Sequence, residues 1–166
     1  SALRSERQRR EAAALDAAQA KAAGSSLYQE LLNLYIDFGF YKEHLISLTK
    51  KGKEGLVEIN QMMIDFRDHP METINGQRVV CIEDYQNTTA RDLINNETFD
   101  LDIPKSNVLI YYLEDGTKIC ARPSGTEPKI KFYFSVKGQY LPEIAWQEQQ
   151  QQFETKIDKF VKDLLN

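Results

Sequence analysis

The sequence has little of several residue types, and each shortage excludes a class of protein. Only two of its 166 residues are cysteine, Cys81 and Cys120, and they lie far apart, in no metal-ligand spacing, inside apolar runs. The two histidines, His44 and His69, have no second histidine or cysteine at ligand spacing. No apolar stretch reaches the length of about 18 residues that a membrane span needs, and the polar N-terminus lacks the apolar segment of a signal peptide. We therefore expect no metal site and no membrane partner, and the free thiols favour a cytoplasmic location.

Basic residues are also few relative to acidic ones. Twenty-one Lys and Arg against 25 Asp and Glu give a formal net charge of -4. Because nucleic acids and acidic membranes are bound by basic surfaces, this balance argues against a nucleic-acid partner, although it leaves room for a local basic pocket. In contrast, 42% hydrophobic and 10% aromatic residues are enough for one core, so a chain of this length predicts about one folded domain.

Residues 1–26 differ in composition from the rest of the chain. An arginine-rich start runs into an alanine-rich stretch, with no aromatic and no β-branched residue. This composition predicts a helix with little apolar surface to bury, and Gly24-Ser25-Ser26 supplies its stop and the next N-cap. We expect a solvated helical leader that is either non-native or the tail of a preceding domain. An RNA-binding arm is the less favoured alternative.

From residue 27 to residue 166 the pattern predicts an α+β two-layer domain. Apolar residues at three- and four-residue spacing predict helices that end near Gly39 and that cover 54–68 and about 142–165. Strand-like runs follow the first helix at 40–49 and continue at 78–85, 107–113, 118–121 and 129–136. The last four predict a mainly antiparallel four-stranded sheet. Its one apolar face is expected to be covered by helices.

The segment Arg122-Pro123-Ser124-Gly125-Thr126-Glu127-Pro128 joins the last two strands and has the composition of an anion-binding loop. Arg122 offers a planar fork of donors that can grip two oxygens at once. Ser124 and Thr126 contribute hydroxyl groups. Gly125 between them lets the backbone approach an oxygen closely, and we expect successive N–H groups to turn inward as a nest.

Charged residues in and beside this loop would strengthen or weaken the binding of an anion. Lys131 shares a face with Lys129, so either lysine can add a point charge to the pocket. Glu127 repels a dianion, and we expect it to point away or to accept a hydrogen bond from a substrate hydroxyl. An ordinary surface turn contains the same residue types, and this remains the structural alternative.

The stretch from Asp115 to Lys131, which contains this segment, closely resembles the C-terminal domain of the α-D-phosphohexomutases, the phosphoglucomutase/phosphomannomutase family. Residues 34–43 resemble the helical lead-in to that domain in the phosphoglucomutase branch, so the resemblance covers about 27–166. It implies an isomerase that interconverts hexose 1-phosphate and hexose 6-phosphate through a phosphoserine. The domain would hold the non-transferred phosphate, and the ligands carried over by motif position are Arg122, Ser124, Gly125, Thr126 and the basic Lys131.

The motifs of the family's other domains are missing from this sequence. It contains no Thr-Ala-Ser-His-Asn-Pro-like phosphoserine loop, no Asp-Gly-Asp-Gly-Asp-like magnesium loop and no Glu-x-Ser-Gly-like sugar loop. The resemblance therefore implies that Mg²⁺ and the phosphoserine belong to a longer parent enzyme, and that the isolated chain has no cofactor, no catalytic residue and no activity. Its expected partners are a sugar phosphate and the remaining domains of the parent. Two alternatives stay open: a stand-alone regulatory module for a small phosphorylated metabolite, and a protein-interaction module built on the N-terminal helix.

Overall fold

The computed structural model describes residues 27–165, and the leader helix expected before them lies outside the described residues. The chain divides into two compact units. Among the described residues, one unit contains 27–40 together with Gly138–Gln149, and the other contains Tyr41–Lys137 together with 150–165. The described residues form three helices: α1 (Leu27–Phe38), α2 (Gly52–Asp68) and α3 (Trp146–Leu165).

The same residues form eight strands: β1 (Phe40–Thr49), β2 (Thr73–Ile74), β3 (Gln77–Asp84), β4 (Thr89–Asp92), β5 (Glu97–Asp100), β6 (Leu109–Leu113), β7 (Lys118–Pro123) and β8 (Lys129–Gly138). Their order across the sheet is β1-β8-β7-β6-β3-β4-β5, and β2 is attached to β3. Strand β3 pairs antiparallel with β2, β4 and β6, and the pairs β4–β5, β6–β7 and β7–β8 are antiparallel as well.

The structure confirms a mixed helix-and-strand domain with an antiparallel sheet, but the four-stranded sheet is wrong. The four strands counted from the sequence are β3, β6, β7 and β8, and the sheet also includes β1, β2, β4 and β5. Strand β2 has only two residues, and β5 is exposed along its whole length. Since a strand exposed on both sides has no apolar alternation, the sequence pattern contains no signal for β5.

The core of the larger unit lies between one face of the sheet and the apolar sides of α2 and α3. On α2 the Phe66 ring lies edge-on to Tyr111 and Phe132, with ring centroids 6.5 and 6.3 Å away. The Tyr111 hydroxyl donates to the Phe66 carbonyl at 3.0 Å, so this buried phenol is satisfied. The buried side chains of β7, β8 and the part of α3 in this unit are Ile119, Ala121, Ile130, Phe132, Phe134, Val136, Phe153, Ile157, Phe160 and Leu164.

In the smaller unit, aromatic rings and one buried amide hold the segment that enters α3. The Trp146 ring lies 5.6 Å from Phe40 and 6.1 Å from Tyr140, centroid to centroid. Gln149 accepts from the Leu141 N–H at 2.9 Å, and its own amide donates to the carbonyls of Leu141 and Ile144 at 2.9 and 2.8 Å. Because Gln149 is buried, these three bonds offset the cost of removing its amide from water.

Candidate functional site

The loop between β7 and β8 borders a cleft of about 360 Å³. This volume lies within the range of small-molecule sites. Four of the five residues expected as ligands line it: Arg122, Ser124, Gly125 and Lys131. Thr126, the fifth, is exposed on the loop but is not among the lining residues. The other residues that line the cleft are Pro123, Glu127, Lys129 and Tyr133.

The strand register explains why these side chains meet. Arg122 on β7 lies directly opposite Lys131 on β8. Opposite residues of an antiparallel pair point to the same face with Cβ atoms about 4.5–5.5 Å apart. Lys129 and Tyr133 lie two residues to either side of Lys131 and therefore share that face, whereas the intervening Ile130 and Phe132 are buried in the core. The sheet thus separates the cleft from the apolar layer.

The side chains that line the cleft carry a net positive charge. Within residues 27–165, no carboxylate lies within salt-bridge distance of Arg122, Lys129 or Lys131. Among the lining residues Glu127 is the one acid, so three cations face a single carboxylate. Like charges at directly opposed positions destabilise a sheet, and an anion bound between them would remove that cost.

Hydrogen bonds within the loop differ from the expected nest of free amides. The Ser124 N–H donates to the Lys129 carbonyl at 2.7 Å. The Ser124 hydroxyl oxygen accepts from the amides of Glu127 at 3.2 Å and Thr126 at 3.4 Å. These three N–H groups are therefore used inside the loop. A serine hydroxyl that accepts still has its O–H to donate, so Ser124 holds the turn and offers the cleft one donor.

The far side of the loop is anchored to a distant part of the chain. The Pro128 carbonyl accepts a hydrogen bond from the Lys50 N–H at 2.8 Å, and the Lys129 N–H donates to the Glu127 carbonyl at 2.7 Å. Gly125 lies between Arg122 and Pro128 in the loop. A Cβ built on Gly125 would have no atom within 4 Å apart from those of Gly125 itself and its two chain neighbours. The absence of a side chain there leaves the backbone accessible from the cleft.

A thiol lies beside the cleft but is not activated by it. Cys120 is opposite Tyr133 in the register and shares the face of Arg122. Burial raises the pKa of the Cys120 thiol, although the charges of Lys118 and Arg122 lower it. Because the net effect is a raised pKa, the protonated thiol is the form present at neutral pH.

Besides Pro123, three residues that line the cleft are not among the ligands predicted from the sequence. Lys129 stood as an alternative to Lys131, and Glu127 was expected to turn away or meet a hydroxyl. Tyr133 was not considered for the site at all. The signal for it was present, because the two-residue alternation of β8 puts Tyr133 on the face of Lys131.

Within residues 27–165, no group of three or more His, Cys, Asp or Glu side chains is arranged to hold a metal ion. None of the helices described there combines the length and apolarity that crossing a bilayer would take.

Similarity to curated proteins identifies the family. The chain is 37% identical over 124 residues to a phosphoglucomutase of Staphylococcus saprophyticus, an alignment that covers 75% of this chain and 22% of the relative. It is 39% identical over 129 residues to a phosphoglucomutase of Staphylococcus aureus, covering 78% of this chain and 23% of the relative. This chain carries a phosphoglucomutase-family domain. It spans about a fifth of the length of the phosphoglucomutases that it matches.

Other comparisons add little about the phosphoglucomutase-family domain. No protein-family model matches the chain. The crystal structure of the exocytosis-sensitive phosphoprotein parafusin from Paramecium, a phosphoglucomutase in its open form, superposes with a TM-score of 0.46 at 13% identity. That alignment covers 80% of this chain and 21% of the other. A likeness this weak supports no conclusion about the site.

Proposed function

We propose that this domain binds the phosphate group of a hexose phosphate within a longer phosphohexomutase. The parent enzyme would interconvert hexose 1-phosphate and hexose 6-phosphate through a phosphoserine located outside this chain. The observation that carries the proposal is the cleft beside the β7–β8 loop, where Arg122 and Lys131 lie opposite each other without a carboxylate partner in the described residues.

The chemistry of the cleft suits a phosphate monoester. The Arg122 guanidinium can contact two phosphate oxygens in one plane, while a lysine ammonium supplies a point charge. The Ser124 hydroxyl is held by the loop amides and retains one proton to donate. Phosphate would place its negative charge between cations that otherwise repel each other.

The expected affinity is weak. A hydrogen bond to a charged group contributes about 1.5 to 3 kcal/mol, whereas association costs about 4 to 15 kcal/mol in lost freedom. The balance favours a Kd near 1 mM, or about 4 kcal/mol. Weak binding suits a domain that must close over a sugar phosphate and release it again.

The first experiment is a titration of this chain with inorganic phosphate, glucose 1-phosphate and glucose 6-phosphate, followed by backbone amide NMR. We expect saturable shifts centred on the loop from Arg122 to Pro128. Arg122→Gln should abolish them, while Lys105→Gln, at an exposed position outside the cleft, should leave them unchanged. Shifts scattered over all surface lysines, or none at all, would contradict the proposal.

The properties of the parent enzyme form a separate part of the proposal. We assign to it Mg²⁺ as cofactor, a cytoplasmic location and contacts between this domain and the other domains. No residue described here is assigned to the metal. In the full-length enzyme, Arg122→Ala should lower kcat/KM by about two orders of magnitude or more, the loss of about 3 kcal/mol of phosphate binding.

The isolated chain is expected to be inactive as a mutase. A coupled assay with glucose 1-phosphate and Mg²⁺ checks this directly, and mannose 1-phosphate tested with the full-length enzyme distinguishes the glucose and mannose branches. Turnover by the isolated chain would show that this domain holds its own catalytic groups.

A further inference from the structure

An aromatic ring borders the cationic end of the cleft. Tyr133 lines the cleft and is 37% exposed, although it lies in the middle of β8 between the buried Phe132 and Phe134. Within residues 27–165 its side chain has no hydrogen bond and no ring partner. Part of the side chain is therefore available to a ligand in the cleft.

The spacing along β8 places this ring beside the proposed phosphate position. Tyr133 and Lys131 are two residues apart on the same face, which corresponds to about 6.6 Å along the strand. In a hexose phosphate only the ester oxygen and at most one further carbon separate the sugar ring from phosphorus. A sugar whose phosphate meets Arg122 and Lys131 therefore has its ring within reach of the neighbouring aromatic side chain.

The size of the cleft also exceeds what phosphate alone requires. Small-molecule sites have volumes of about 300–1,000 Å³, so a cleft of about 360 Å³ can hold a ligand larger than phosphate.

We propose that Tyr133 is the surface on which the sugar ring of the bound hexose phosphate stacks, so that it determines preference for a sugar phosphate over free phosphate. This inference rests on the proposed phosphate-binding function of the same cleft. The negative face of an aromatic ring attracts the slightly positive C–H bonds on one side of a sugar. Tyr133 is thus a specificity-determining residue, and Arg122 with Lys131 supplies the phosphate contact.

The test compares dissociation constants for inorganic phosphate and glucose 6-phosphate in the wild-type chain, Tyr133→Ala and Tyr133→Phe. We expect Tyr133→Ala to weaken glucose 6-phosphate binding about three- to tenfold and to leave inorganic phosphate within about twofold of wild type. Tyr133→Phe keeps the ring and should retain most of the affinity. Tyr41→Ala removes another exposed tyrosine, outside the cleft, and should change neither constant.

The outcomes separate this inference from the proposed function. Equal affinity of the wild-type chain for the two ligands, or equal effects of Tyr133→Ala on both, would overturn the stacking role while leaving the phosphate site intact. A wild-type chain that binds neither ligand would overturn both proposals. Amide NMR spectra of each variant check that its fold is retained. If the alanine variant does not fold, the affinities of the wild-type chain for the two ligands still decide the stacking role.

Discussion

Arg122 and Lys131 occupy directly opposed positions on β7 and β8, and both border the same cleft. Cross-strand pairs of like charge destabilise a sheet by about the same 0.2–1 kcal/mol that favourable pairs contribute. Neither cation has a carboxylate partner within the described residues. The stability of the sheet therefore does not account for the pair, which supports the proposal of an anion site at this cleft.

Lys131→Gln should distinguish a role of Lys131 in anion binding from a role in the stability of the sheet. Removing one of two opposed cations is expected to leave the free energy of unfolding unchanged or to raise it by about 0.5 kcal/mol, while phosphate affinity falls about tenfold. Urea denaturation and phosphate titration measure the two effects, with Lys105→Gln as the control. A loss of more than about 1 kcal/mol in stability would instead indicate a structural role for Lys131.

Two glycines should respond in opposite ways to alanine. Gly125 has free space for a Cβ, so Gly125→Ala should fold with equal or slightly greater stability, by up to about 1 kcal/mol, but bind phosphate more weakly. Gly116 has φ +86, and a Cβ there would lie 2.9 Å from the Lys137 side chain. Gly116→Ala should therefore lower the melting temperature. Unchanged phosphate affinity in Gly125→Ala would mean that the ligand does not approach the loop backbone.

The pair Arg67 and Asp84 should dominate the polar contribution to stability. Arg67 Nε lies 3.2 Å from Asp84 Oδ2, and the two side chains are only 12% and 13% exposed. The Arg67 guanidinium also donates to Asn107 Oδ1 at 2.7 Å. Removing one partner leaves a buried charge, so Arg67→Met should cost about 3–5 kcal/mol in urea denaturation.

Arg67→Lys is the matched variant for this pair. It keeps the charge but loses the second donor, so it should cost less than Arg67→Met. Equal stability of the methionine variant and the wild type would show that the pair only offsets its own desolvation.

The stability of the domain should fall in acid through Asp115. Burial alone would raise the pKa of Asp115, but hydrogen bonds from Lys156 and Thr117 outweigh it and hold the pKa below its usual value. A lowered pKa in the folded state stabilises above the unfolded pKa of about 3.9, and this stabilisation is lost as pH falls through the folded value. At pH 7, Asp115→Asn should cost about 1 kcal/mol because the contact is partly exposed.

The check for Asp115 is a comparison of urea midpoints between pH 7 and pH 2. The difference between wild type and Asp115→Asn should shrink below about pH 4 and should remain constant above about pH 5. A difference that stays constant down to pH 2 would contradict the lowered pKa.

The sequence pattern was sufficient to predict the helices and strands that bury a regular stripe of apolar side chains. Strand β8 and helices α2 and α3 were predicted because alternate residues of β8, and three- and four-spaced residues over much of α2 and α3, are apolar. The hairpin of β4 and β5 was missed because its residues are mostly polar and β5 is exposed. Its pairing comes from backbone hydrogen bonds, which the side-chain pattern does not encode.

For the cleft, the sequence located the loop but not its internal bonding. The residue types of the loop predicted Arg122 and Ser124 as phosphate ligands, and both side chains line the cleft. That Ser124 accepts from two loop amides depends on the turn that the chain adopts, and many turns are compatible with the same composition. Arg122 lies opposite Lys131 because of the register between β7 and β8. That register depends on the conformation of the connecting loop, which the sequence alone does not give.

The hydrogen bond from the Lys50 N–H to the Pro128 carbonyl couples the end of the cleft loop to the short connection between β1 and α2. Insertions or deletions in that connection would displace the support of a loop nearly eighty residues later in the chain. The length of that connection therefore bears on the geometry of the proposed phosphate site, although Lys50 does not line the cleft.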